Sequence, residues 1–114
     1  MKYKIEKNTV QETLIIPLYS RKLCSELYPT IYRDETAVRL IGEIDYDFSE
    51  AEKSSRGLMQ RFGSLEVAMR QNDLAFEVRD YLKAHPAAAV VNLGCGLDST
   101  GRACDNGSCK IYNL

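Results

Sequence analysis

What the sequence lacks narrows its class first. No uninterrupted apolar run exceeds five residues, Ala87 to Val91, against the roughly 18–20 that a bilayer-spanning helix needs. The opening MKYKIEKNTV has no apolar core of the kind that directs export. Neither sign of charge dominates: fifteen basic residues meet sixteen acidic ones, for a formal charge of −1. Neither nucleic acid nor a membrane is therefore implied as a partner. Proline, glycine and serine are not in the surplus that accompanies disorder, and there are no internal repeats or low-complexity tracts. With one histidine, His85, and four scattered cysteines, Cys24, Cys95, Cys104 and Cys109, the C-x-x-C pairs or Cys/His clusters of a zinc site are missing too. The expectation is one small cytoplasmic domain, or part of a larger one, with its thiols reduced.

What is present reads as helix for most of residues 1–86. TVQETLIIPLYSRKLCSELYP sets Leu14, Leu18, Leu23 and Leu27 at near-helical spacing, with a break expected near Pro17 and a stop at Pro29. RDETAVRLIGEIDYDF predicts a short amphipathic helix with Asp34 as N-cap and Ala37, Leu40, Ile41 and Ile44 as its apolar stripe. SEAEKSSRG reads as a linker or helix entry. A longer helix is predicted from about Ser64 to Ala84, burying Val67, Leu74, Val78, Tyr81 and Leu82, with Glu66 and Arg70 spaced for an i,i+4 pair. His85-Pro86 closes it, and His85 reads as a C-terminal dipole partner in preference to a base.

From residue 87 the pattern changes. AAAVVNL lacks polar alternation, as a strand of a covered parallel sheet does, and CKIYNL after the turn DNGS is a second such candidate. The first strand runs straight into Gly94-Cys95-Gly96. Glycine admits positive φ and lets a ligand lie against the backbone, so a strand ending this way before a helix start suits a nucleotide-like cofactor. A dinucleotide fingerprint asks for a third glycine where this chain has Ser99, and Asp98 would repel a pyrophosphate. S-adenosylmethionine has no phosphates and a cationic sulfonium, and it fits this turn better. A tight strand-to-helix turn with no ligand is the plain alternative.

TLIIPLYSRK, IDYDF, VVNLGCGLDST and DNGSCKIYNL, in that order and spacing, resemble the N-terminal part of the leucine carboxyl methyltransferase family, in particular its bacterial branch of tetracenomycin-type polyketide O-methyltransferases. The resemblance runs from about Val10 to Leu114. It implies an α/β fold: a mainly helical N-terminal cap over 1–86, then from 87–114 the first β-α-β of a Rossmann-like S-adenosylmethionine-dependent methyltransferase fold, incomplete here. It places Gly94 and Gly96 under the cofactor, Arg70 in VAMRQND on the methionine carboxylate, and Arg21 in YSRK as a second cation there; Asp98, in the same turn, is a further candidate cofactor-binding residue. A solvated helix face is the alternative for Arg21, and an ion pair with Glu66 the alternative for Arg70. The chain departs from the branch in having Asp98-Ser99-Thr100 where aspartate-threonine-arginine is usual.

The family pattern continues beyond IYNL with an acidic residue for the ribose hydroxyls, further strands and the acceptor pocket. The resemblance therefore implies a cofactor-binding front portion of a longer O-methyltransferase, inactive alone, with a carboxylate or hydroxyl acceptor and a complementing C-terminal chain or a homo-oligomer as partner. A non-catalytic helical module that docks on a partner chain is the alternative function.

Overall fold

The cap expected at Asp34 organises the first half of the chain. The computed structural model describes all 114 residues, which form two compact units, Met1–Met69 and Arg70–Leu114. In the first unit α1 (Val10–Leu27) packs on α2 (Glu35–Glu43). Asp34 Oδ1 accepts the Ala37 N–H at 2.9 Å, which satisfies one of the donors that every helix start leaves without a partner. Ile15, Leu18, Leu23, Ala37 and Ile41 are buried on these two helices. Cys24, Tyr32 and Ala68 form a further cluster edged by Tyr28, Leu65 and Met69. A short parallel pair, β1 (Tyr3–Lys4) with β2 (Ile44–Asp45), and α3 (Ser49–Ser54) complete the unit, together with the first turns of α4 (Leu58–Ala84).

Two features differ from the sequence reading. α1 runs unbroken through Pro17. Thr13 and Pro17 are both exposed, so the carbonyl that loses its N–H donor lies on the solvent side, while Ile15 and Leu18 anchor the opposite face. α4 starts at Leu58, not Ser64, and carries Gly63 inside. Its buried stripe is Ser64, Ala68, Ala75 and Leu82, while Leu74 and Tyr81 are 52% and 60% exposed. Small side chains fill most of this buried line, and the bulkier Leu74 and Tyr81 lie off it.

In the second unit the end of α4 packs against β3 (Ala89–Asn92), α5 (Thr100–Cys104) and Cys109, which leads into β4 (Lys110–Asn113). β3 and β4 are parallel, with Ala89 opposite Lys110 and Asn92 opposite Asn113. Their core is Ala75, Leu82 and Cys104, with Val78, Ala88, Val90 and Cys109 against it. Side chains alternate along a strand, so Val91 and Tyr112 point to the other face, where they are 53% and 50% exposed. Helices with two parallel strand pairs make the fold mixed α/β. No helix is long and apolar enough to cross a membrane.

Candidate functional site

The chemistry gathers where β3 ends. Gly94 and Gly96 have φ of +62° and +51°, in the left-handed region that a side chain makes costly. A Cβ at Gly94 would meet nothing within 4 Å, so the glycine there answers to backbone conformation and the space beside it is open. The turn is tied at both ends. The Cys95 N–H donates to the Leu114 carbonyl at 3.0 Å, and the Asp98 N–H donates to the Cys95 carbonyl at 3.0 Å.

Side chains fix the turn further. Asn92 Nδ2 donates to Asp98 Oδ1 at 3.0 Å and reaches Asn113 Oδ1 at 3.4 Å, which links the ends of the two parallel strands to the turn. Asp98 Oδ1 also accepts the Thr100 N–H at 3.1 Å. From α4, Gln71 Nε2 donates to Ser99 Oγ at 2.8 Å. Gly101 brings α5 against β4: a Cβ there would lie 2.9 Å from Ile111 Cγ2 and 3.0 Å from Asn113 Oδ1. The glycine that permits close helix–strand packing is thus present two positions beyond Ser99, where a dinucleotide fingerprint has its third.

Arg70 neighbours Gln71 in the chain and is exposed. It makes no ion pair, and the pair that its spacing from Glu66 allows does not form. Gly94, Gly96, Asp98 and Arg70 therefore all belong to the second unit. Arg21 belongs to the first, and it is not on a solvated face: its Nε lies 3.2 Å from Asp34 Oδ2, with the two side chains only 5% and 6% exposed. Tyr32 Oη donates to the same oxygen, and the Asp34 N–H donates to Ser25 Oγ. Burial, then the charge of Asp34, pushes the Tyr32 phenol well above its ordinary range. Burial likewise raises the thiols of Cys24 and Cys104, which makes them poor nucleophiles. No group of three or more His, Cys, Asp or Glu side chains is placed to hold a metal.

Sequence reading missed Asn92, Asn113, Gln71 and Gly101. A signal for the first two was present: both strands end in Asn-Leu, at 92–93 and 113–114, and in-register parallel pairing sets those asparagines side by side. Nothing local marks Gln71 or Gly101, whose partners lie on other elements.

A glycine turn at the carboxyl ends of parallel strands is where open α/β sheets bind ligands. The chain is related to a methyltransferase. Over 90 residues, 79% of its length, it is 34% identical to the tetracenomycin polyketide synthesis O-methyltransferase TcmP of Streptomyces glaucescens. Those residues are 31% of the relative, so the chain spans about a third of the length of the protein it matches. No family model matches the chain. No solved structure matches it.

Proposed function

We propose that this chain binds S-adenosylmethionine at the turn 93–99 and forms the cofactor-binding part of an O-methyltransferase of the leucine carboxyl methyltransferase family, with a Rossmann-like core. The observation that carries this reading is the turn itself: two positive-φ glycines with open space beside Gly94, at the ends of parallel strands, in a chain related to an O-methyltransferase. Backbone without Cβ atoms admits an adenosine-sized body in contact with the chain, and the carboxylate of Asp98 is compatible with a cationic ligand that has no phosphates.

Each residue has a role in this reading. Gly94 and Gly96 give the surface on which the cofactor lies. Arg70, exposed and without an ion pair, offers a planar fork of donors to the ligand's carboxylate. Arg21, the second cation proposed for that carboxylate, has its guanidinium buried against Asp34 in the first unit. Bound S-adenosylmethionine supplies an electrophilic methyl group on sulfur. Transfer to an oxygen that is already ionised needs alignment more than proton movement, so no general base is assigned.

Because the matched residues are 31% of the relative, we place the acceptor pocket and the rest of the sheet in polypeptide beyond them, and expect this chain alone to bind cofactor without transferring methyl groups. A second reading, a docking module without catalysis, is favoured by the apolar side chains left open on the second unit, among them Val91, Leu93, Tyr112 and Leu114. Calorimetric titration with S-adenosylhomocysteine separates the two. Saturable one-to-one binding supports the cofactor reading, and no heat at millimolar ligand supports the docking module.

A further inference from the structure

Asp98 carries a charge that its local structure does not use. Both hydrogen bonds it accepts, from Asn92 Nδ2 at 3.0 Å and from the Thr100 N–H at 3.1 Å, go to Oδ1. Oδ2 takes none, and no lysine or arginine pairs with the carboxylate. Arg79, which like Asp98 lies close enough to Cys104 to bias its thiol, is engaged elsewhere, its Nε donating to the Ala103 carbonyl. An asparagine would accept the same two bonds, since Asn and Asp serve equally well as local caps. The negative charge is therefore surplus to the turn, yet the carboxylate is held in one orientation from two sides. Asn92 is itself steadied by Asn113 across the sheet.

We propose that Asp98 is the residue of this site that selects for positive charge: Oδ1 is clamped by Asn92 and the Thr100 N–H so that Oδ2 faces a cationic group of a nucleoside ligand. This rests on the cofactor reading above and refines it. S-adenosylmethionine offers two such groups, its sulfonium and its α-ammonium. S-adenosylhomocysteine keeps the ammonium but has a neutral sulfur, and methylthioadenosine has neither charge. Asn92 is a positioning residue that acts through Asp98.

The test measures the affinity of all three ligands for the 114-residue chain and for Asp98→Asn, which keeps an oxygen for Asn92 and Thr100 and should melt at the same temperature. The expected result is a loss of roughly tenfold or more for S-adenosylmethionine, against less than about twofold for methylthioadenosine. If S-adenosylhomocysteine loses as much as S-adenosylmethionine, Oδ2 meets the ammonium; if it loses little, Oδ2 meets the sulfonium. Equal losses for all three ligands, or no loss for any, would show that Asp98 only shapes the turn. Failure of the unaltered chain to bind any of the three would overturn the cofactor reading itself, and this inference with it. As a second variant, Asn92→Ala should lower the preference for S-adenosylmethionine over methylthioadenosine in the same direction. An unchanged preference there would remove Asn92 from the account.

Discussion

The two units treat their charged side chains in opposite ways. In the first, Arg21 and Asp34 are buried together, with Tyr32, Ser25 and the Ala37 N–H completing the set. In the second, Arg70 is exposed without an ion pair, and Asp98 is half-buried with all its bonds on one oxygen. A buried, mutually satisfied pair holds helices in register, and breaking it costs stability. An ionised group fixed in place but left with vacant capacity costs little to change structurally and has capacity left for a ligand. The contrast separates residues that make the fold from residues that can act on something else.

The sharpest way to break the comparison is Asp34→Ala. It leaves the guanidinium of Arg21 buried without its countercharge and removes the α2 cap, a loss of about 3–5 kcal/mol. Domains of this size have only about 5–15 kcal/mol in all, so urea unfolding should show the first unit melting at a much lower midpoint. A midpoint shift equivalent to under about 1 kcal/mol would mean that the pair is no more structural than a surface ion pair.

Arg70→Ala should behave in the reverse manner. Stability should stay within about 0.5 kcal/mol, as for exposed positions generally, while affinity for S-adenosylhomocysteine falls roughly ten- to a hundredfold, or about 1.5–3 kcal/mol. Decarboxylated S-adenosylmethionine is the control. If that ligand is weakened equally, Arg70 does not meet a carboxylate.

Gly101→Ala tests the packing that brings α5 to β4. The new methyl would sit 2.9 Å from Ile111 Cγ2, on a branched side chain with little room to yield, and 3.0 Å from Asn113 Oδ1, which can swing away. Alanine's helix preference offsets part of the strain, which leaves a net loss of about 1–2 kcal/mol. Denaturant unfolding of the variant reads that loss, and a stabilised variant would show that the contact has slack.

The smallest effect belongs to the half-buried pair of Glu12 and Tyr46. The Tyr46 hydroxyl donates to the Glu12 carboxylate and, with the Asn8 N–H, holds its pKa below the usual range. A carboxyl lowered in the folded chain contributes stability above its unfolded value of about 4.3 and loses it as pH falls through the folded value. Tyr46→Phe should therefore lower the melting temperature slightly at neutral pH and leave it unchanged in acid. An equal drop at both would show that the hydroxyl contributes without regard to the charge on Glu12.

What the sequence made legible were features with local causes. Asp34 caps α2, His85-Pro86 ends α4, and the DNGS turn carries Gly107 at φ +78° before β4. The glycines at 94 and 96 also take the positive φ that their place after a strand suggests. What stayed hidden depends on partners far along the chain. The stripe Ser64, Ala68, Ala75 does not stand out by hydrophobicity, because serine and alanine are hardly apolar although they are buried here. The Asn92–Asn113 contact becomes visible only once β3 and β4 are paired, and Arg21 looks like a surface cation until α2 delivers Asp34 to it.

If the turn 93–99 is a cofactor site, its glycines must remain without side chains for a ligand to bind. Titration of the chain with S-adenosylhomocysteine, repeated on Gly96→Val, tests it most directly. A valine at φ +51° is strained and places a side chain where a ligand would touch backbone. The unaltered chain should bind one-to-one and the variant not at all, with the Arg21–Asp34 unit melting as before. Equal affinity in both proteins would put the ligand elsewhere and contradict the claim.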